Sequence, residues 1–276
     1  MTTKTIIKEH RLSGGGVKYK ASPNHGGIFA AGVADTIVLH YTGGSSFDSS
    51  VEHLCSEKTK ASAHLVIGRE GQVTQLVPFD TIAWHAGASQ WKGRSGMNQY
   101  SIGIELDNAG ELTKNQAGMY SSWFNRTYAP EEVFRGTHRN RTHPSFWHIY
   151  TEQQIEKTFA ICDLLCDTYG ISEIVGHEEI SPKHKVDPGP AFPLDKLRQC
   201  VEADRADNSA DNIFELGADR VVTATKLNVR SGPSINFEAV SAPLLTGRKV
   251  KVIERHEEWS KIEFTQTGWV NSRFLR

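Results

Sequence analysis

An α/β domain built on a mixed central sheet flanked by helices, followed by a small all-β barrel, is the architecture that this 276-residue sequence predicts. Three observations carry it. Short β-branched runs alternate with amphipathic stretches up to about residue 200. A polar, acidic segment, Val201-Glu-Ala-Asp-Arg-Ala-Asp-Asn-Ser-Ala-Asp-Asn212, then interrupts the apolar periodicity. Beyond it the charge balance changes sign: residues 218–276 hold 10 Lys+Arg against 6 Asp+Glu, whereas the remainder holds 21 against 26. The expected division is a first domain over 1–200, a linker over 201–217 with the break between about Glu202 and Gly217, and a second domain over 218–276.

Each element has a local reason. Thr36-Ile-Val-Leu-His-Tyr41 is an apolar, β-branched run closed by Thr42-Gly-Gly44, which reads as a buried strand. His64-Leu-Val-Ile67 and Val73-Thr-Gln-Leu-Val77 flank Gly68-Arg-Glu-Gly71, a hairpin signal. Ser101-Ile-Gly-Ile-Glu-Leu106 alternates small or polar with apolar residues, again a strand. Thr151 with Gln154 predicts a capping box, after which Ile155, Phe159, Cys162 and Cys166 recur at helical spacing until Gly170. Glu173-Ile-Val175 is strand-like. In the tail, Val221–Thr223, Lys249–Glu254, Trp259–Phe264 and Gly268–Val270 are short strand-like runs separated by turn residues, the pattern of a small barrel.

Composition excludes several classes. An apolar fraction of 38% with 23% charged residues is ordinary for a folded protein and argues against wholesale disorder. A net charge of −1 lacks the basic excess of a nucleic-acid binder. No stretch approaches the roughly 18 apolar residues of a membrane span. Met1–Arg11 carries charges where a signal peptide would place its apolar segment, so cytoplasmic synthesis without a Sec signal is expected. Four scattered cysteines (Cys55, Cys162, Cys166, Cys200) are no disulfide framework. Cys162 and Cys166 stand four apart on one helix face and read as core packing rather than a metal pair.

The richest chemistry lies in Gly176-His-Glu-Glu-Ile-Ser-Pro-Lys-His-Lys-Val-Asp-Pro-Gly-Pro190. His177 follows a strand, and Asp187 is pinned ten residues on by Pro188-Gly189-Pro190. An imidazole and a carboxylate make part of a zinc site, and His40, at the end of its own strand, is the best third ligand because strand ends meet at one sheet edge. Three protein ligands leave the fourth tetrahedral position open, as catalytic zinc requires. This spacing is not specific by itself, and two separately satisfied histidines are the plainer alternative.

Five segments, in order, carry a resemblance: Ile37-Val-Leu-His-Tyr-Thr42, Ala61-Ser-Ala-His64, Ala83-Trp-His-Ala-Gly87, Asn98-Gln-Tyr-Ser-Ile-Gly-Ile-Glu105 and the His177–Pro190 loop. Over about residues 34–196 the sequence resembles the zinc N-acetylmuramoyl-L-alanine amidases. The likeness is to the anhydromuramyl-peptide branch, related to phage lysozyme-type amidases and peptidoglycan-recognition proteins. The resemblance implies the amidase/peptidoglycan-recognition fold and one Zn²⁺ per chain on His40, His177 and Asp187. It also implies cleavage of the amide between the lactyl group of N-acetylmuramic acid and L-alanine in peptidoglycan or muropeptides. Glu105 would exchange protons with the attacking water and the leaving amine, and Lys185 would stabilise the oxyanion. Trp84, His85 and Arg94 fall where the family lines its substrate groove: Arg suits stem-peptide carboxylates and Trp a sugar or lactyl face, a core position being the alternative for Trp84. His64 is either a wall of the site or a core histidine.

Non-catalytic peptidoglycan-recognition relatives are the alternative. They commonly lose the ligand at the position of Asp187, and here all three ligands, Glu105 and Lys185 are present. Arg135-Gly-Thr-His-Arg-Asn-Arg-Thr-His143, within an insertion over 128–149, has no family role and reads as a solvated stretch of a long loop. Leu227-Asn-Val-Arg-Ser-Gly-Pro-Ser234 with Gly268-Trp-Val270 resembles the bacterial SH3 (SH3b) domains attached to wall hydrolases. There Arg230 and Gly232-Pro233 would make a turn, and Trp259 and Trp269 would supply core or groove aromatics. Cell-wall material is the partner this implies, to be reached by a phage-type or other non-Sec route.

Overall fold

The run Thr36–Tyr41 is apolar on both faces and forms a central strand, β2, buried on both sides. The structure, a computed structural model, describes residues 5–207, 216–222, 226–233, 237–245, 247–256 and 259–266. The chain divides into two compact units, Met1–Asp204 and Arg205–Arg276.

In the first unit, six strands form one mixed sheet: β1 (Lys18–Tyr19), β2, β3 (Leu65–Ile67), β4 (Val73–Gln75), β5 (Ser101–Leu106) and β11 (Glu173–Gly176). Their spatial order is β11-β2-β5-β3-β4-β1. Strands β11, β2, β5 and β3 run parallel, and β3 pairs antiparallel with β4 across the expected hairpin. Alternation then sorts the side chains. Ile37, Leu39, Ile102, Ile104 and Leu106 join a core with Ile161, Cys162, Leu165 and Cys166 of α2 (Glu152–Tyr169) and with Leu194, Leu197 and Val201 of α3 (Leu194–Asp207). The opposite face packs Val38 and Val175 against Ala86, Met97 and Ile180, and Val66 against Val51 and Leu54 of α1 (Phe47–Leu54). His40 and Glu105 belong to that second face by the same period of two.

Three sequence expectations change. Thr151 caps α2 by accepting from Gln154 N, but the Gln154 side chain does not reach back; fully buried, it donates to Ile67 O and Asp107 O and ties the helix to the sheet. Helix α3 continues to Asp207, into the segment read as linker, while the stripe that docks it on the core, Leu194, Leu197 and Val201, ends where that segment begins. Residues 208–215 lie outside the described residues. The 128–149 insertion is structured. It belongs to a five-stranded antiparallel sheet ordered β8-β7-β6-β10-β9, from β6 (Glu111–Lys114), β7 (Tyr120–Ser121), β8 (Thr127–Tyr128), β9 (Val133–Thr137) and β10 (Pro144–His148). Trp147 and His138 are each only 1% exposed there, which the basic composition of 135–143 concealed.

The second unit pairs β12 (Asp219–Val221), β13 (Lys249–His256) and β14 (Trp259–Glu263) antiparallel, with Lys226–Leu227 against Leu244–Leu245. Val222, Leu244 and Val250 form its core with Val229, Ile262 and Phe264. Trp259 is half-buried and Arg230 donates to Phe237 O. The expected strand Gly268–Val270, with Trp269, lies outside the described residues. Among the described residues no helix is long and apolar enough to cross a membrane.

Candidate metal centre and active site

Parallel pairing brings the chemistry to one edge. Glu105 is in register with His40, and Gly176 with Leu39, so His177 leaves β11 beside His40. The loop after His177 returns Asp187, whose carbonyl accepts from Glu178 N at 2.9 Å. The outcome is a buried triad. His40 Nδ1 lies 2.9 Å from His177 Nδ1 and 3.0 Å from Asp187 Oδ2, and His177 Nδ1 lies 2.9 Å from the same oxygen. Among the described residues this is the one group of three such side chains placed to hold a metal ion.

The hydrogen-bond network fixes the tautomers. His85 Nε2–H is directed at Ser101 O and Oγ, each at 3.3 Å, and Ser101 Oγ–H donates to Met97 O. His85 Nδ1 is therefore an acceptor, 3.0 Å from His40 Nε2–H. His177 Nε2–H in turn faces Ala86 O at 3.3 Å. Both ligand candidates thus keep their Nδ1 lone pairs for one point shared with Asp187 Oδ2. Three electron-pair donors this close repel unless a cation lies among them, and two imidazoles with one carboxylate is a donor set that suits Zn²⁺.

Electrostatics agree. Burial, with His177 adding to it, pushes His40 down to about 4, so the imidazole stays neutral. Burial would raise Asp187, but the two imidazoles set against its Oδ2, His177 and His40, outweigh it and hold the carboxyl below its usual range. Glu105 has a buried Oε2 without a hydrogen-bond partner. Burial, reinforced by Asp187, pushes it up to about 8, and the charge of Lys185 opposes the rise. Lys185 is exposed on the loop two residues before Asp187, and its charge reaches both Glu105 and His40.

The remaining expected residues separate. Trp84 is 36% exposed, at the surface rather than in the core. His85 is buried beneath His40, against Gly103, where a Cβ would fall 2.3 Å from the imidazole. Only glycine fits there. Asn98 Oδ1 holds this stretch by accepting from His85 N and Ala86 N. His64 is fully buried behind His85, accepting from Gly103 N and donating to Thr81 O, and burial holds it down to about 4. The Arg94 guanidinium forks onto Asp35 at 2.8 and 3.0 Å, beside the start of β2. Arg69 and Arg126, which the sequence does not mark, line a cleft of about 480 Å³ with Gly44, Asp107, Tyr128 and His148. Asp107 there is raised to about 6 by burial, against the pull of Arg69.

Residues 31–190 match the N-acetylmuramoyl-L-alanine amidase family, and residues 225–276 match the bacterial SH3 domain. The chain is 32% identical over 157 residues to the 1,6-anhydro-N-acetylmuramyl-L-alanine amidase AmpD of Escherichia coli (strain K12), covering 56% of this chain and 63% of that protein. It is 33% identical over 171 residues to the N-acetylmuramoyl-L-alanine amidase AmiD of the same strain, covering 59% and 51%. The matched segments thus span less than two thirds of these relatives. A solved complex of E. coli AmiD with anhydro-N-acetylmuramic acid-L-Ala-D-γ-Glu-L-Lys superimposes with a TM-score of 0.47 at 28% identity, covering 71% of this chain and 65% of that one. The chain belongs to the N-acetylmuramoyl-L-alanine amidase family and carries a bacterial SH3 domain after it.

Proposed function

We propose that this protein is a zinc-dependent amide hydrolase that cleaves between the lactyl group of N-acetylmuramic acid and L-alanine. The observation that carries the reading is the convergence of His40 Nδ1, His177 Nδ1 and Asp187 Oδ2 within 3.0 Å, each imidazole having its other nitrogen engaged. His40, His177 and Asp187 would hold the Zn²⁺, which when bound would supply Lewis acidity toward the scissile carbonyl and lower the pKa of water. The protein residues do the rest. Glu105, aligned with His40 and lacking a partner on Oε2, is kept ionised by Lys185 and by the cation charge that its buried carboxyl would face, and takes the proton as the water oxygen bonds to the carbonyl carbon. It returns that proton to the L-alanine nitrogen as the C–N bond breaks. Lys185 places a positive charge near the developing oxyanion. Arg69 and Arg126, rather than Arg94, offer guanidinium groups to the stem-peptide carboxylates, and the exposed Trp84 offers a face to the sugar or lactyl group. The SH3 domain, with its basic excess, holds the enzyme on anionic wall material.

Mass spectrometry of products from soluble muropeptides and intact sacculi, with and without chelator, tests this. Free stem peptide beginning at L-alanine, together with a lactyl carboxylate, is the expected product pair. Zinc binding with no bond cleaved on either substrate would make the protein a recognition module instead.

A further inference from the structure

We infer that the hairpin β9–β10 positions the metal ligands through a single buried carboxylate, Glu178, with His138 as the positioning residue that holds it. The inference rests on the metal site proposed above.

Glu178 stands between the two loop ligands in every sense but sequence distance. It follows His177 directly, and its N–H donates to the carbonyl of Asp187 at 2.9 Å. Its side chain, 3% exposed, spans to the far side of that loop: Oε2 accepts from Gly189 N at 3.1 Å, two residues beyond Asp187. One residue therefore clips both ends of the segment that must bring His177 and Asp187 onto the same point.

Glu178 is in turn held from outside the loop. His138 Nε2 lies 2.6 Å from the same Oε2, Arg139 Nε lies 2.9 Å from Oε1, and Asn140 Nδ2 donates to the Glu178 carbonyl at 2.8 Å. All three come from the turn between β9 and β10. The hairpin grips the other end as well. Trp147, stacked on His138 with ring centroids 5.7 Å apart, lies where a Cβ on Gly189 would fall 2.8 Å away. Just past β10, Tyr150 donates to Pro188 O at 2.7 Å. A carboxylate this buried, stripped of its imidazole, would lose one of the two donors on Oε2 and turn to find another. Gly189, and Asp187 with it, would no longer be fixed against His177. Donor groups behind metal ligands set affinity in this manner, and their loss typically weakens binding by about 10–100-fold.

The test is zinc affinity of the full chain, measured by competition with a chromophoric chelator, beside melts of the metal-free proteins. His138→Ala should weaken zinc about 10–100-fold, and His138→Gln, which still donates to Glu178, should recover most of that loss. Arg139→Ala removes a half-exposed side chain, leaves no core cavity and should weaken zinc by at least about threefold, so it decides the matter alone if His138→Ala does not fold. A hairpin that only stabilises the domain would lower the melting temperature and leave zinc affinity within twofold in the variants that fold, which would overturn the inference. Wild type and Asp187→Ala in the same assay separate the two readings. If Asp187→Ala binds zinc as wild type does, the metal site itself is misplaced. If only Asp187→Ala weakens binding, the site stands and the positioning role falls.

Discussion

His85 Nδ1 lies 3.0 Å from His40 Nε2, and this contact decides which nitrogen of His40 faces Asp187. The chain of donors runs from His40 through His85 to Ser101, with Gly103 giving the His85 ring its place. His85→Ala should therefore weaken zinc by about 10–100-fold while leaving His177 and Asp187 in place. Chelator competition measures it, and unchanged affinity would show that His40 keeps its orientation without help.

Glu105 separates holding metal from using it. Glu105→Gln, loaded with zinc, should keep wild-type metal content and lose about 10²–10⁴ in kcat, the usual contribution of a general acid–base group. Turnover near wild type in zinc-replete Glu105→Gln would remove this residue from the mechanism.

Two arginines should behave oppositely. Arg94 is spent on Asp35, so Arg94→Ala should leave KM for muropeptides unchanged and cost no more than about 1 kcal/mol of stability. Arg69 lines the cleft with Arg126, and Arg69→Ala should raise KM by about tenfold for substrates bearing stem carboxylates. Steady-state kinetics on both variants checks the pair; a KM effect confined to Arg94→Ala would reverse the assignment.

Acid should destabilise the fold through histidines outside the triad. Burial holds His64 down to about 4 and, with Arg69 and Arg126 adding, His148 down to about 3, against an ordinary value of 6.5. The unfolded chain takes these protons as the pH falls through 6.5 and the folded chain does not. The unfolded state thus binds more protons, and stability falls from about pH 6.5 to 4, His148 continuing to about 3. Imidazole NMR should find both rings neutral at pH 5. A midpoint near 6.5 for either would contradict the burial argument.

Residues 1–207, cut where α3 ends, should hydrolyse soluble muropeptides at the full-length rate, because every residue assigned to the reaction precedes that point. On intact sacculi the same truncation should be slower, since tethering raises local concentration at an insoluble surface. Equal rates on both substrates would leave the SH3 domain without a targeting role.

The two central strands are legible in the sequence because Thr36–Tyr41 is a β-branched apolar run and Ser101–Leu106 alternates small or polar with apolar residues. His40, His177 and Asp187 could be read because strand ends and a proline-bounded loop constrain them locally. What stayed hidden depends on partners distant in sequence. Arg94 looks like a surface anion binder until Asp35 is seen across 59 residues, and the basic run Arg135–His143 looks solvated until Glu178 is found against His138 and Arg139. The place of His85 beneath His40 is equally hidden in the sequence, because the empty space above Gly103 that receives its ring exists only in the folded sheet.

Zinc content and turnover, followed together on one preparation, test the central claim most directly. Protein stripped of metal and verified by elemental analysis should be inactive on a muropeptide, and activity should return in proportion to added Zn²⁺, saturating at one ion per chain. Asp187→Ala should neither retain the ion nor recover. Full turnover in verified metal-free protein would contradict the account.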